Sequence, residues 1–147
     1  MTEQFAGRTE TPPVTAGGRW SLTSVPAALS ELAAARRGLA EFAASTTLPS
    51  DRVHDVALAA YEAMANAVEH AYPDRTAGTF DVRAVAADGL FTVTVTDRGA
   101  WKCGDPDPAL RRGRGITLMR ACSDHFELDP GPDGTTAVLE WTIPSTT

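Results

Sequence analysis

An alternation of apolar and polar residues on both sides of Asp88-Gly89 constrains the fold of this chain more than any other feature. Segments 80–84 and 91–96 place an apolar residue at every second position, with Asp, Arg or Thr between. Period-two alternation is typical of a strand with one buried face, and Asp-Gly favours a tight hairpin turn. The sequence therefore predicts two antiparallel strands that need a covering layer on one side.

Two helical segments come before this hairpin. Apolar residues recur at helical spacing over residues 29–44 and again over residues 53–71. We expect Ser24 to cap the first helix and Ser50 to cap the second, which ends near Pro73. Both helices carry an apolar stripe, so they are the natural cover for the strands.

The remaining segments complete the order of elements. Residues 20–23 form a short first strand, and residues 97–112 form a long loop that contains several glycines and prolines. A short helix and two strands follow at residues 115–122, 126–128 and 137–143. This order predicts an α+β fold, a two-layer α/β sandwich in which a mostly antiparallel sheet carries helices on one face.

Composition narrows the class of protein. With 147 residues, 43% of them hydrophobic, the chain forms one domain over residues 19–144, after a disordered tail at residues 1–18. The net charge of −6 argues against direct nucleic-acid binding. Without a membrane span or an export signal, we expect a cytoplasmic protein with reduced Cys103 and Cys122. These cysteines and the histidines form no zinc-ligand cluster.

A polar stripe interrupts the otherwise apolar second helix. Glu62, Asn66 and His70 stand at i, i+4 and i+8, which places an acid, an amide and an imidazole on one side of an α-helix. A carboxylate one turn from an amide oxygen suits a site that holds a hard cation and moves a proton. Further along, Asp97-x-Gly99 ends a strand, and Gly113-x-Gly115 opens a helix. Together these segments predict a nucleotide pocket.

With Gly134-Thr135-Thr136, these segments resemble the four ordered sequence boxes of the GHKL, or Bergerat-fold, ATPases. The resemblance covers residues 20–143, and within the superfamily the chain is most similar to the bacterial anti-sigma-factor serine kinases, including the actinobacterial type. The stretch 111–120 followed by Asp124 resembles the end of the nucleotide lid and the helix after it in that group. The resemblance implies the histidine-kinase-like ATPase fold, with ATP or ADP and Mg²⁺ as cofactors.

It also implies roles for individual residues. Asp97 would accept a hydrogen bond from the adenine amino group, beside the close backbone approach that Gly99 permits. Asn66 would be the Mg²⁺ ligand. Glu62 would be the general base. His70 is interpreted instead as a partly buried structural residue.

The phosphate contacts are the remaining implied roles. Gly113 and Gly115 would bind phosphate at a helix N-terminus, with Arg114 adding charge. One hydroxyl, of Thr135 or Thr136, would lie near the phosphates, and the resemblance does not distinguish the two. Residues 100–114 would form the lid over the nucleotide.

The function implied is that of an ATP-dependent serine protein kinase acting as an anti-sigma factor. Its partners would be a sigma factor and a STAS-domain anti-anti-sigma protein, and such kinases are typically homodimers. The alternatives are a non-catalytic ATP-binding regulatory module that switches partners with nucleotide state, the catalytic domain of a histidine kinase, and a purely structural α/β domain. A helical hairpin with a phosphorylatable His, expected before a histidine-kinase domain, is missing from the sequence. The four ordered boxes argue against a structural domain.

Overall fold

A computed structural model describes residues 17–71, 78–99 and 115–144 of the chain. Five strands and three α-helices lie within these ranges. In chain order they are β1 (Gly17–Pro26), α1 (Leu32–Ala44), α2 (Ser50–Asn66), β2 (Thr79–Ala87), β3 (Leu90–Asp97), α3 (Gly115–Cys122), β4 (His125–Gly131) and β5 (Gly134–Thr142).

The strands form one sheet in the order β1-β2-β3-β5-β4, and every neighbouring pair is antiparallel. The hairpin between β2 and β3 turns at Asp88 and Gly89, whose φ angles are 54° and 75°. Two consecutive positive φ angles match the right-handed twist of the flanking strands. The predicted hairpin and the α+β fold with an antiparallel sheet are therefore confirmed.

The helices cover one face of the sheet. Phe42 of α1 packs against Phe91 of β3 with ring centroids 5.7 Å apart, and Phe91 meets Trp141 of β5 edge to face at 6.2 Å. All three rings are buried, while the intervening threonines of β3 are partly exposed on the opposite face. Burial on alternate positions thus gives the sheet an inner face that carries the core and an outer face that is polar.

The start of the first helix differs from the prediction. β1 extends over Gly17–Pro26 and takes in the last two residues of the predicted tail. Ser24 does not cap a helix, since it lies in a β-bulge of this strand with a φ of 56°. A 3₁₀ turn at Leu29–Glu31 precedes α1, and its N-cap residue, Ala28, provides no side-chain cap. Instead of capping a helix, Ser24 donates its backbone N–H to the side chain of a residue that is distant in the chain, Asp81.

The second helix differs from the prediction at its start. Pro49 is its N-cap residue and Ser50 is its first helical residue, so the predicted Ser50 cap is wrong. The carbonyl oxygen of Pro49 accepts the backbone N–H groups of Arg52 and Val53. The α-helix ends at Asn66 and continues as a π-helical turn over Ala67–Ala71. The predicted end at residue 73 lies outside the described residues.

The described residues include the helices and one of the two cysteines that the sequence predictions concern. No helix in the described ranges is long and apolar enough to cross a bilayer. Cys122 is a free thiol, and burial raises its pKa, with a further increase from the negative charge of Asp55. Cys103 lies outside the described residues.

A polar cluster joins the start of α2 to the end of the sheet. The Arg52 guanidinium donates to Asp124 Oδ1 at 2.6 Å and to Asp55 Oδ2 at 3.0 Å. Asp124 Oδ2 accepts the backbone N–H of Thr142 at 2.8 Å. That backbone hydrogen bond, assisted by Arg52 and opposed by burial, lowers the pKa of the Asp124 carboxyl. Ionised Asp124 therefore links α2 to β5 just after α3.

Replacing Asp124 tests this link. Because the folded pKa is lowered, the carboxylate stabilises the fold above its unfolded pKa, and the contribution disappears as the pH falls through the folded value. We expect Asp124→Asn to lower the free energy of unfolding near neutral pH by about 1 kcal/mol, since the pair is half exposed. The difference from wild type should narrow below about pH 4.

Urea unfolding followed by circular dichroism measures both effects. Asp129→Asn is the matched control, because Asp129 is exposed on the edge strand β4 and should change stability by less than about 0.5 kcal/mol. Equal stability of wild type and Asp124→Asn near neutral pH would show that the cluster contributes nothing.

Candidate functional site

A pocket opens between the end of α2, the helix α3 and the ends of the central strands. It is a narrow pocket that is partly open to solvent. Most of its lining is apolar, with a few polar groups, as is usual for small-molecule sites. The lining residues are Ala63, Asn66, Ala67, Val95, Asp97, Met119, Leu128, Thr135 and Ala137.

Asp97 is the charged residue of this lining. It is the last residue of β3, and only 3% of its surface is exposed. Its Oδ1 accepts the backbone N–H groups of Gly99 and Thr135, each at 3.1 Å. These two hydrogen bonds offset the cost of burying a carboxylate. They also hold the backbone at Gly99 and at Thr135 against the same carboxylate oxygen.

The approach of β5 to Asp97 requires a glycine. A Cβ atom at Gly134 would overlap the backbone carbonyl oxygen of Asp97. Any side chain there would force the two strand ends apart and would move Thr135 away from the carboxylate. Gly134 therefore has a steric role in the site, next to the threonine that follows it.

Two further polar atoms of the pocket are buried without a partner. Asn66 and Thr135 are each 3% exposed. Within the described part of the chain, neither the Asn66 Oδ1 nor the Thr135 Oγ1 atom has a hydrogen-bond partner. An unsatisfied buried polar atom costs about 1–3 kcal/mol and is uncommon in native proteins. Two such atoms in one pocket, beside a buried carboxylate, indicate that a polar ligand completes their hydrogen bonding.

Glu62 lies one turn before Asn66 on α2 and is partly buried, but it does not line the pocket. The π-helical turn starts directly after Asn66, so α-helical spacing no longer relates Asn66 to His70. π-helical turns are often found at functional sites. The predicted stripe is thus α-helical only through Glu62 and Asn66.

The structure separates the two threonines that the sequence could not. Thr135 lines the pocket, whereas Thr136 belongs to the outer face and pairs with Thr96 and Asp129. Of these two hydroxyls, that of Thr135 is therefore the one available to a ligand in the pocket, and it lies beside the carboxylate of Asp97.

The glycines after the long loop are only partly described. Gly115 is the buried first residue of α3, at the end of the helix that contributes Met119 to the pocket. Gly113 and Arg114, and the predicted lid at residues 100–114, lie outside the described residues. Their phosphate contacts stay predictions.

The apolar part of the pocket lining was not predicted from the sequence. Val95 and Ala137 lie two residues from Asp97 and Thr135 on the same strands, so period-two spacing from the polar residues would have found them. Met119 follows Gly115 by one helical turn. The helical spacing of Met119 indicated only a buried residue, and nothing marked this residue as part of a pocket rather than of the core.

Comparison of sequences identifies relatives of the chain. Residues 25–141 match the family model of the histidine kinase-like ATPase domain. The chain is 29% identical over 115 residues to the anti-sigma F factor of Clostridium beijerinckii, a match that covers 71% of this chain and 80% of that protein. It is 31% identical over 100 residues to the anti-sigma F factor of Clostridium botulinum, covering 61% and 70% respectively.

Solved structures share the same fold. The crystal structure of the RsbU and RsbW domains of Rv1364c from Mycobacterium tuberculosis matches 88% of this chain with a TM-score of 0.69 and 24% identity. The blue-light activated histidine kinase of Erythrobacter litoralis EL346 matches 65% of it with a TM-score of 0.55 and 25% identity. This chain spans about a third of each of those two chains, 34% and 32%.

The family model covers most of the chain, and the C. botulinum relative exceeds 30% identity over more than two thirds of its own length. The chain therefore belongs to the histidine kinase-like ATPases of the GHKL superfamily, in the group of the anti-sigma-factor kinases. Both the predicted family and the predicted fold are confirmed. An ATPase domain implies a nucleotide site, and the pocket around Asp97 has the buried polar groups that such a site needs.

Asp97→Asn tests the pocket as that site. The asparagine Oδ1 can still accept the two backbone N–H groups, so the fold should persist. Its NH₂ group, however, would replace an acceptor with a donor and remove the charge. A charge-assisted hydrogen bond is worth roughly 1.5–3 kcal/mol, so ADP binding should weaken about 10- to 100-fold in calorimetry. Equal affinity in the two proteins would rule out Asp97 as the adenine contact.

Thr135→Val separates ligand binding from stability. Valine keeps the shape but removes a hydroxyl that has no partner in the described structure, so the unfolding free energy of the nucleotide-free protein should stay the same or rise. Nucleotide affinity should fall by roughly 3- to 10-fold, the worth of one hydrogen bond. Thr136→Val, on the outer face, is the matched control. The pocket assignment is wrong if Thr136→Val weakens binding as much as Thr135→Val.

Proposed function

We propose that this protein is an ATP-dependent serine protein kinase that acts as an anti-sigma factor and phosphorylates a STAS-domain anti-anti-sigma protein. One observation carries the proposal: a buried carboxylate meets, in one pocket, an amide oxygen and a hydroxyl that have no hydrogen-bond partner among the described residues. The kinship with anti-sigma F factors then directs the choice of reaction and partners.

Adenine recognition is assigned to Asp97 and Thr135. For Thr135 this proposal replaces the phosphate contact that the resemblance implied for one of the two threonines. A carboxylate accepts the hydrogen bond of the adenine amino group, while the carbonyl oxygen of guanine at that place would be repelled. The apolar lining from Val95, Met119 and Leu128 suits the faces of a purine ring. The buried Thr135 hydroxyl supplies a second polar contact beside the carboxylate.

Mg²⁺ binding is assigned to Asn66. Its orphaned buried Oδ1 is a neutral oxygen ligand of the kind that this hard cation accepts. The described residues contain no cluster of three His, Cys, Asp or Glu side chains. Such an ion would therefore share its coordination between Asn66, phosphate oxygens and water, as Mg²⁺ in nucleotide sites usually does. When bound, it neutralises phosphate charge.

The proton in the transfer is assigned to Glu62. The serine oxygen of the partner forms a bond to the γ-phosphorus as the bond from that phosphorus to the β–γ bridging oxygen breaks. The serine proton passes to the Glu62 carboxylate, and ADP leaves. Glu62 is one helical turn from Asn66, and its position outside the pocket lining suits a group that acts on an incoming hydroxyl at the rim.

The partners follow from the relatives rather than from a surface on this chain. Proteins named anti-sigma F factor and the RsbU and RsbW domains stand among the matches, which supports a sigma factor and an anti-anti-sigma protein as partners. A cytoplasmic homodimer is part of the same proposal. The competing function is a regulatory module that binds nucleotide and exchanges partners without phosphorylating either.

Glu62 and Asn66 variants distinguish a kinase from that module. Glu62→Ala should bind ATP like wild type but transfer phosphate about 10²–10⁴ times more slowly, because general-base help is lost. Asn66→Ala should lose the Mg²⁺-dependent part of ATP binding while keeping its fold, since it removes a buried unsatisfied oxygen. The measurements are ATP titration and a radiolabel time course with a purified STAS-domain protein from the same organism.

Glu41→Ala, on the exposed side of α1, is the matched control and should behave like wild type in both assays. Unchanged transfer by Glu62→Ala would remove Glu62 from the role of base. Wild-type protein that binds ATP and labels no STAS partner would make the regulatory module the better description.

A further inference from the structure

Arg98 stands between the two residues of the nucleotide turn, Asp97 and Gly99, but its side chain lies on the outer face of the sheet. Its Nη2 atom donates to Asp81 Oδ2 at 2.6 Å, and its Nη1 atom donates to Thr79 Oγ1 at 3.1 Å. One planar guanidinium therefore ties the chain that leaves β3 to two positions of β2. This fork geometry is specific to arginine, because a lysine ammonium is a single point donor on a flexible stem.

Asp81 also connects this contact to a third strand of the sheet, β1. Asp81 Oδ1 accepts the backbone N–H of Ser24 at 2.8 Å, at the β-bulge where the register of β1 shifts between Leu22 and Val25. The φ of 56° at Ser24 is unfavourable for a residue with a side chain. A bulge with such a backbone is a built feature that re-aims local groups, and here it turns an N–H toward Asp81. Arg98, Asp81 and Ser24 together form what we call the outer clamp.

We propose that the outer clamp positions the Asp97-Gly99 turn for nucleotide binding, with Arg98 as a positioning residue that touches no ligand. The inference rests on the proposed function, since it takes Asp97 as the nucleotide contact. Asp97 and Arg98 are adjacent and face opposite sides of the sheet, so the outer clamp fixes the backbone from which the carboxylate projects. On the pocket side the Gly99 N–H bonds to Asp97 Oδ1, so the position of Gly99 depends on that of the carboxylate.

The expected size of the effect follows from exposure. The Arg98 side chain is 50% exposed and that of Asp81 is 30% exposed, so the ion pair itself adds little to global stability. Its effect should appear instead in the affinity of the protein for nucleotide, because the pair holds the Asp97-Gly99 turn in place. We expect Arg98→Ala to weaken ADP binding roughly 2- to 5-fold, the scale of one such exposed pair.

ADP titration by calorimetry in the presence of Mg²⁺, alongside thermal unfolding, tests the outer clamp. Arg98→Lys should recover part of the affinity lost in Arg98→Ala. Asp81→Asn keeps an oxygen for the Ser24 N–H and weakens the pair with Arg98, so it should reduce affinity as well. The double variant Asp81→Asn with Arg98→Ala should bind no more weakly than Arg98→Ala alone, because Asp81→Asn acts on an ion pair that Arg98→Ala has already removed. Arg83→Ala is the control, since Arg83 is exposed on the same face of β2.

The outcomes separate the outer clamp from the proposed function. Affinity lost in Arg98→Ala and Asp81→Asn, partly recovered in Arg98→Lys and unchanged in Arg83→Ala, supports positioning. Arg98→Ala that binds ADP like Arg83→Ala, whatever its unfolding temperature, overturns it while leaving the nucleotide site intact. Absence of ADP binding by wild type would overturn the nucleotide site and the outer clamp together. If Arg98→Ala does not fold, Asp81→Asn decides alone, and an unchanged affinity in that variant overturns the inference.

Discussion

The buried carboxylate of Asp97 is the group on which the geometry of the site depends. An ionised group in an apolar surrounding must be matched by hydrogen bonds, and here the backbone N–H groups of Gly99 and Thr135 provide them. This requirement draws the start of β5 against the end of β3, and the contact is so close that residue 134 has no room for a Cβ atom. A single charge thus sets the residue type, the backbone path and the spacing of two strand ends.

The pocket around Asp97 lowers the stability of the nucleotide-free protein, because it contains buried polar atoms without partners in the described structure. The core beneath the helices is well packed, with Phe91 and Trp141 fully buried, whereas Asn66 and Thr135 each hold a polar atom without a partner in the described structure. Apolar residues at both positions would stabilise the nucleotide-free fold. Retaining polar atoms there makes sense for a site that gains its missing hydrogen bonds from a ligand, which is the usual compromise between stability and function. A π-helical turn lies directly after Asn66, and such turns are frequent at functional sites.

The period of two along a strand divides the chemistry between the two faces of the sheet. At the end of β3, Asp97 points into the pocket while Arg98 bonds to the outer face. At the start of β5, Thr135 and Thr136 are divided in the same way. Of two neighbouring residues, one therefore lines the pocket and the other lies on the outer face of the sheet. The sheet links them rigidly because its backbone is shared.

Local physics made part of this molecule predictable from sequence. The hairpin at Asp88-Gly89, the alternating strands and the bounds of α3 depend on near neighbours. The ordered sequence boxes pointed to Asn66, Asp97 and the pair Thr135 and Thr136. Tertiary structure decided the rest. Ser24 has the chemistry of a helix cap but lies in a bulge, because Asp81, 57 residues away in the chain, accepts its N–H. The choice between Thr135 and Thr136 depended on strand register, which is fixed only when β5 pairs with β3. A sequence specifies which groups need partners, and only the folded chain brings the distant partner within hydrogen-bond distance.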